Sequence, residues 1–231
     1  MSRITESSEP DTDLMPISPE PRKLSYGKLS LLIVVGVLLA LVSGRTLLRL
    51  SRGLPIIGPP EFHGLVIQSP PPISNFTLAA TTGENLSLRD FRGKIVLLYF
   101  GYRYCPDVCP ATMVELKRMM AALGRDAKDV QVIMISVDPD RDTPEQLAAY
   151  VTQFHPSFIG MTGSEAELLG VTTQLGIYYQ KHEGTPATGY LVDHTATVSV
   201  MDRNGRLRLV FPFETKGEEM AVDLRYLLHY D

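Results

Sequence analysis

Two cysteines, the only ones in the chain, lie four residues apart at Cys105 and Cys109. Residues with this spacing share one face of a helix, so both sulfurs point the same way if a helix begins near residue 106. Two such thiols can bind one metal ion together or form a disulfide with each other. The spacing by itself leaves both chemistries open.

A strand and a helix are predicted to position this pair. Residues 94–100, KIVLLYF, form a continuous apolar run between two glycines, which is typical of a strand buried on both faces. Residues 112–123 carry apolar side chains at helical spacing. The positive end of the helix dipole, together with nearby Arg103, is expected to favour the thiolate form. A structural disulfide is the alternative, but a bridge that closes so short a loop stabilises little.

The remaining pattern predicts strands that alternate with helices. The predicted elements are a hairpin over 76–80 and 85–88, a strand over 130–137, helices over about 144–154 and 164–175, a hairpin over 195–201 and 207–211, and a helix over 217–230. Residues 143–146, TPEQ, have a capping-box pattern with proline at the first helical position. This order of elements predicts an α/β fold of the thioredoxin-like kind.

Three motifs together resemble those of the SCO/SenC family of thioredoxin-like copper proteins. They are GYRYCPDVCP at 101–110, SVDPDRDTP at 136–144 and VDHT at 192–195, in the family's order. The resemblance covers about residues 73–231 and implies a role in assembling the copper site of cytochrome c oxidase. It implies that Cys105, Cys109 and His194 are the copper ligands. The chain departs from the family at Arg103 and Tyr104, which leaves this ligand set whole.

Five histidines compete for the place of third ligand. His194 is expected at the start of a strand that lies beside the strand before the cysteines. Asp193 is not expected to orient it, because adjacent strand residues point to opposite faces, so a backbone carbonyl or another loop is expected instead. The other four are expected at the surface: His63, His155, His182 and His229.

The donor types indicate which metal would bind. Two thiolates and one imidazole suit copper or zinc, and a set of three suits Cu(I), whereas structural zinc usually has four protein ligands. The same two sulfurs can form a disulfide, which would release the metal, so copper loading and redox state are expected to be coupled. Asp138, Asp140 and Asp142 could form a calcium loop, but their context is more typical of a helix entry, and the resemblance places Asp138 beside the site.

A second function class is a thiol–disulfide oxidoreductase or peroxide reductase with no metal role. A CxxC spacing, a neighbouring tryptophan and a proline before the facing strand would favour that class. This chain has CxxxC and no tryptophan, and residues 189–191, before the facing strand, are GYL and contain no proline. We therefore expect a metallochaperone, with thiol–disulfide reduction as a second capacity. A pure scaffold would leave the thiol pair unexplained.

Composition limits the partners. The chain has 231 residues, of which 44% are hydrophobic, enough for one sizeable domain and an appendage. Residues 73–231 hold 15 Lys and Arg against 20 Asp and Glu, a balance of −5. This argues against nucleic acid as a partner. The expected partners are the copper-site subunit of the oxidase, other copper carriers and thiol reductants.

The appendage is an uncharged stretch at residues 29–44, LSLLIVVGVLLALVSG. As a helix it would be about 24 Å long, short of a hydrocarbon core of about 30 Å, but residues 45–50 can extend it. We predict a tail at 1–28, a transmembrane anchor at 29–49, a Pro-rich linker at 50–72 and a thioredoxin-like copper-binding domain at 73–231. The prolines of 51–72 are expected to prevent helix formation and sheet pairing.

The membrane orientation rests on the resemblance. Basic residues on the two sides of the span are nearly balanced, so the positive-inside rule does not decide. The resemblance implies a cytoplasmic tail and a domain outside the cytoplasm. A cleaved signal peptide ending near residues 42–44 is the alternative, but 28 residues before the apolar core are many for one. The acidic tail is unlike a mitochondrial transit peptide, so we expect the bacterial cytoplasmic membrane.

Overall fold

The computed structural model describes residues 26–51, 61–69, 73–185 and 189–230. The chain divides into two compact units, one up to Leu47 and a second from Leu48 onward. Each unit is described by itself. Residues 1–25 of the predicted tail at 1–28, and residues 52–60 and 70–72 of the predicted linker at 50–72, lie outside the described residues.

The described part of the first unit is a single helix, α1. This helix spans Tyr26–Ser51, so its last residues belong to the second unit. Its segment Ser30–Ser51 has 22 residues, and an 18-residue window within it has a mean hydropathy of 2.4 and no buried residue. At 1.5 Å per residue, 26 residues give a helix about 39 Å long, enough to cross a bilayer core. The helix runs beyond residue 44 as expected. By length and composition α1 is a candidate membrane anchor.

The second unit is built on an eight-stranded sheet. Its strands are β1 (Leu65–Val66), β2 (Thr77–Ala80), β3 (Asn85–Ser87), β4 (Ile95–Gly101), β5 (Val130–Ser136), β6 (Ile159–Thr162), β9 (Val198–Met201) and β10 (Leu207–Phe211). Their spatial order is β1-β10-β9-β4-β5-β6-β2-β3. The pairs β4–β5 and β5–β6 are parallel and the others are antiparallel. Every residue of β4 and β5 is buried, as the apolar runs predicted.

Two further strands form a separate sheet. They are β7 (Tyr179–Glu183) and β8 (Tyr190–His194), which pair with each other antiparallel. The sequence did not predict them as a hairpin, because β7 is polar and largely exposed and shows no apolar alternation. This small sheet carries His194 at its last residue.

Four helices complete the second unit. They are α2 (Val108–Leu123), α3 (Pro144–Phe154), α4 (Glu165–Leu175) and α5 (Gly217–Tyr230). The capping box predicted at Thr143 and Gln146 opens α3, and a second one at Ser164 and Glu167 opens α4. Met113, Leu116 and Met119 on α2 are fully buried in the core. These layers of helix and sheet confirm the predicted α/β fold of the thioredoxin-like kind.

Residues 61–67 differ from the expectation for the linker. Leu65 and Val66 pair with β10, so the expectation that the prolines prevent sheet pairing across 51–72 is wrong at this point. The backbone N–H groups of His63 and Gly64 both donate to the buried Asp223 carboxylate, each at 2.9 Å. The prolines at 70–72 follow the strand, so they remove no ladder hydrogen bond from it.

Candidate metal centre

The two cysteines lie where β4 is connected to α2. Cys105 lies in the connection, and Cys109 lies in the first turn of α2, which begins at Val108. The Cys109 backbone N–H donates to the Cys105 sulfur at 3.4 Å. Cys105 is half-buried and Cys109 is fully buried, and both are free thiols. The predicted strand-to-helix junction is confirmed.

His194 approaches this pair from the separate hairpin. Its Nε2 atom lies 3.3 Å from the Cys109 sulfur. The sulfurs of Cys105 and Cys109 and a ring nitrogen of His194 all lie within 4.8 Å of one another. Among the described residues this is the one cluster of three such donors.

The expected location of His194 at a strand start is wrong. It is the last residue of β8, and the strand beside β4 is β9, which begins at Val198. Residues 195–197 cross between the two sheets, so His194 reaches the site from outside the main sheet. Its Nδ1 atom lies 3.3 Å from the Thr195 carbonyl oxygen, which confirms the expected backbone carbonyl contact.

The other histidines are held elsewhere by polar partners. His182 lies in β7, and its Nε2 is 3.1 Å from the Asp193 carboxylate. Asp193 thus pairs with His182 and not with His194, the next residue in the sequence. The remaining three each contact a polar side chain: His63 with Asp223, His155 with Ser157 and His229 with Asp126.

Hydrogen bonding between the two thiols makes them unequal. The Cys109 side chain donates to the Cys105 sulfur, and this bond, with help from His194 and the backbone N–H groups of residues 107 and 109, lowers the pKa of Cys105 to about 4 against the effect of burial. The same bond, burial and repulsion by the Cys105 thiolate raise the pKa of Cys109. The metal-free site therefore holds one thiolate and one thiol.

Part of the predicted thiolate stabilisation is confirmed. The backbone N–H groups at the start of α2 contribute to the lowered pKa of Cys105. The Arg103 side chain has other partners: its Nε donates to the Asp142 carboxylate at 3.2 Å, and its guanidinium lies 4.8 Å from the Tyr104 ring centroid.

Two tyrosines surround the donors, and the sequence did not indicate them. The rings of Tyr99 and Tyr102 meet the His194 ring edge-on, at centroid distances of 6.1 and 6.0 Å. Tyr99 is fully buried near the end of β4, so its sequence position is typical of ordinary strand core. The Tyr102 hydroxyl accepts a hydrogen bond from the Val192 backbone N–H at 3.1 Å, which ties the cysteine loop to β8.

Gly101 leaves room for the Cys109 sulfur. A Cβ atom at this position would lie 2.9 Å from that sulfur and 2.9 Å from Cε1 of Tyr99. Such distances are shorter than van der Waals contact, so any side chain here would displace one of the two. On its outer side the site opens onto a depression of about 240 Å³, which Cys105, Asp107, His182 and His194 help to line.

The acidic motif does not form a cation loop, because its three carboxylates point to different partners. Buried Asp142 accepts from the Arg103 backbone N–H at 3.0 Å and from the Ser136 hydroxyl at 2.6 Å. Exposed Asp140 pairs with Lys181. Asp138 pairs with Arg141 at 2.6 Å. The segment leads directly into α3, as predicted.

Comparisons with known proteins agree with this geometry. A family model described as SCO1/SenC matches residues 67–229. An "SCO2-like protein" of Rickettsia felis is 31% identical over 198 residues, which cover 85% of this chain and 93% of that protein.

Solved structures of related proteins share the fold. The copper-bound structure of Bradyrhizobium japonicum ScoI is 39% identical with a TM-score of 0.62, and the match covers 67% of this chain and 98% of that one. The apo Sco1 protein of Thermus thermophilus is 41% identical with a TM-score of 0.65, covering 72% and 97%. The family model spans well over half of the sequence, and so the chain belongs to the SCO1/SenC family.

Proposed function

We propose that this protein is a membrane-anchored copper chaperone that binds copper through Cys105, Cys109 and His194. It delivers the copper to the copper site of cytochrome c oxidase, or reduces the cysteines of that site. The observation that carries the proposal is the convergence of two sulfurs and one imidazole nitrogen within 4.8 Å. The family resemblance supports the oxidase as recipient.

The donor chemistry supports copper over harder metals. Thiolates and imidazole are ligands that Cu(I) and Cu(II) prefer, and carboxylates, which Mg²⁺ and Ca²⁺ prefer, are absent from the described donor cluster. The copper-bound structure of Bradyrhizobium japonicum ScoI shows that a relative of 39% identity binds this metal. This favours a copper role over the metal-free oxidoreductase alternative.

The outward opening suits a carrier that must release its cargo. Cys105 and His194 both line the depression, whereas Cys109 is fully buried. A recipient's ligands can therefore approach the copper from the side of Cys105 and His194. Exchange of ligands one at a time avoids a free copper ion in solution.

The same two sulfurs support thiol reduction. The Cys105 thiolate attacks a disulfide of the recipient and forms a mixed disulfide, and one recipient sulfur leaves as a thiolate. Cys109 then loses its proton and attacks Cys105, which releases the second recipient thiolate. Two electrons pass to the recipient, and this chain is left with a Cys105–Cys109 disulfide. An external thiol reductant must restore it before copper binds again.

The domain organisation belongs to the same proposal. Residues 29–49 anchor the protein in the bacterial cytoplasmic membrane, residues 1–28 form the cytoplasmic tail, and residues 50–72 form the linker, of which Leu65 and Val66 pair with β10 of the domain. The domain at 73–231 lies on the extracytoplasmic side. The length and apolar composition of α1 support the anchor.

Copper stoichiometry tests the proposal. The reduced full-length protein in detergent is loaded with Cu(I), desalted and analysed for metal, and one copper per chain is expected. A Cys105→Ser, Cys109→Ser double variant should bind almost none, and the oxidised protein far less than the reduced one. A stoichiometry near zero for the reduced protein, or equal loading of the reduced and oxidised forms, would contradict the chaperone function.

A further inference from the structure

The strand that carries His194 does not belong to the main sheet. β8 pairs with β7 alone in the described part of the chain, and neither strand joins the eight-stranded sheet. The two cysteines, in contrast, follow β4 at the centre of the main sheet. The third donor is therefore placed by interactions other than the main-sheet ladder.

A buried ion pair contacts the beginning of β8. The Arg141 Nε donates to the Asp138 carboxylate at 2.6 Å, and its Nη1 donates to the Tyr190 carbonyl oxygen at 3.1 Å. The Tyr190 hydroxyl donates to the other Asp138 oxygen at 2.5 Å. The guanidinium carbon lies 3.6 Å from the Tyr190 ring centroid. Asp138, Arg141 and Tyr190 together are called the Arg141 clasp below.

The clasp also touches the loop that carries Cys105. The Arg141 guanidinium carbon lies 4.7 Å from the Tyr104 ring centroid and 5.8 Å from that of Tyr102. One cation thus lies among aromatic rings from the cysteine loop and from β8. Cation–π contacts are stronger where water is excluded. Here the Asp138 side chain is 0% exposed and that of Arg141 19%.

The interactions of the clasp are directional. A guanidinium is planar and rigid, and its N–H groups point in fixed directions. The Arg141 guanidinium donates to a carboxylate and a carbonyl and also stacks on a ring. It therefore fixes the positions of these three groups relative to one another. Tyr190 begins β8 and His194 ends it, so a fixed Tyr190 limits where the imidazole can lie. The hydrogen bond between Tyr102 and the Val192 N–H holds the middle of the same strand.

We infer that Arg141 is a positioning residue for His194, and this rests on the proposed copper function. Arg141 acts by holding β8 against the cysteine loop, through the Tyr190 carbonyl oxygen and the Tyr104 ring. Loss of the clasp lets His194 move away from Cys109 while the two sulfurs stay in place. Cu(II), which needs nitrogen or oxygen donors besides sulfur, is then bound less tightly, whereas Cu(I) can be held by two thiolates.

The test replaces Arg141 in the full-length protein in detergent. Arg141→Met keeps an apolar stem against the tyrosine rings and removes the fork. We expect Cu(II) affinity to fall at least about 10-fold, the loss typical when a group that orients a metal ligand is removed. The sulfur-to-copper charge-transfer bands should shift, and Cu(I) binding should change much less.

A matched control is Arg206→Met. Arg206 pairs with Asp202 at 2.8 Å, and Asp202 follows directly on Met201, which pairs with Val96 near the start of β4. Val96 lies five positions before Gly101 at the cysteine end of β4, which is about 17 Å at about 3.3 Å per residue. This variant removes a more exposed arginine–aspartate ion pair that is remote from the cysteines, and it should leave the copper spectrum unchanged. Arg141→Lys serves if the methionine variant does not fold, because it keeps the charge but loses the fork.

The His194→Ala background separates positioning from other effects. If Arg141 acts through His194, Arg141→Met should have almost no additional effect on Cu(II) affinity or spectrum once His194 is alanine. An equal effect in both backgrounds, or a folded Arg141 variant with an unchanged Cu(II) spectrum, would overturn the inference. If His194→Ala alone leaves Cu(II) binding unchanged, the ligand assignment itself fails, and that result rejects the proposed function.

Discussion

At the scale of single residues, the two cysteines have different environments although they belong to one motif. Cys105 faces the depression and has a lowered pKa, because the Cys109 thiol and backbone N–H groups donate to it. Cys109 is fully buried and has a raised pKa. The attacking sulfur in any exchange reaction is therefore Cys105, and Cys109 is the sulfur that resolves it.

Alkylation at mildly acidic pH should distinguish the two sulfurs. The pKa of Cys105 is lowered to about 4, so its thiolate persists at pH 6 and is lost only as the pH falls through about 4. We expect iodoacetamide at pH 6 to label Cys105 in the reduced, metal-free protein well before Cys109, as measured by peptide mass spectrometry. A Cys105→Ser variant is the control and should be labelled slowly. Equal labelling of both cysteines would contradict this difference.

Replacement of His194 should affect Cu(II) more than Cu(I). His194→Ala removes the one imidazole of the donor cluster, and two thiolates remain for Cu(I). We expect the Cu(II) charge-transfer bands to disappear or shift strongly, while Cu(I) affinity falls less and the melting temperature changes little. His182→Ala is a matched control, because His182 lines the same depression without joining the cluster. An unaltered Cu(II) spectrum for His194→Ala would reject His194 as a ligand.

At the scale of elements, the site depends on how closely β4 and α2 approach each other. Gly101 ends β4, and the Cys109 sulfur in the first turn of α2 lies 2.9 Å from where a Cβ atom of residue 101 would be. The absence of a side chain at this one position lets the helix start lie against the strand end. The sulfur is thereby held beside Tyr99 and within reach of His194.

Gly101→Ala should therefore destabilise the domain and disturb the donor cluster. The added methyl group overpacks a well-filled site, which typically destabilises by about 1 to 3 kcal/mol. Urea unfolding followed by circular dichroism measures the free energy change, and Cu(I) titration measures the effect on the site. The control is Gly170→Ala in α4, where a Cβ atom has no neighbour within 4 Å.

The control should move stability in the opposite direction. Alanine is favoured over glycine in a helix interior by roughly 0.5 to 1 kcal/mol, so Gly170→Ala should be slightly stabilising and leave copper binding unchanged. If Gly101→Ala unfolds at the same urea concentration as the unchanged protein, with copper binding intact, the close approach of β4 and α2 does not matter for the site.

At the scale of the whole molecule, the chain combines a helix with exposed apolar side chains and a domain whose apolar side chains are buried. The helix α1 exposes its apolar side chains along its length, whereas the domain buries its own in one core. Exposed apolar surface of this extent is typical of a segment in contact with lipid. This agrees with the proposed membrane anchor.

Protease accessibility tests the proposed orientation. In spheroplasts of a bacterial host, added protease should degrade the domain at 73–231, because the domain lies outside the cytoplasmic membrane. A cytoplasmic marker protein should stay intact in the same sample and become sensitive after detergent lysis. Protection of the domain in intact spheroplasts would reverse the orientation, and recovery of the domain in the soluble fraction would indicate a cleaved signal instead of an anchor.

Much of this protein follows from local patterns in its sequence. Apolar runs and helical spacing predicted β4, β5 and α2, because the period of apolar residues reflects which face is buried. The three motifs indicated the family. The apolar run before the cysteines and the helical spacing after them placed both cysteines at a strand-to-helix junction. The expectation that both sulfurs lie on one helix face is wrong, because α2 begins at Val108 and Cys105 precedes it.

The tertiary structure decided the features that depend on residues far apart in the chain. β7 and β8 pair through their backbones with little apolar pattern, so the sequence did not show that His194 lies outside the main sheet. Arg103 is close to the cysteines in sequence but is held by Asp142, 39 residues away. The clasp of Arg141 on Tyr190 joins residues 49 apart. Such contacts form between residues that are distant in the sequence and close in the folded chain. The local spacing of apolar residues does not predict them.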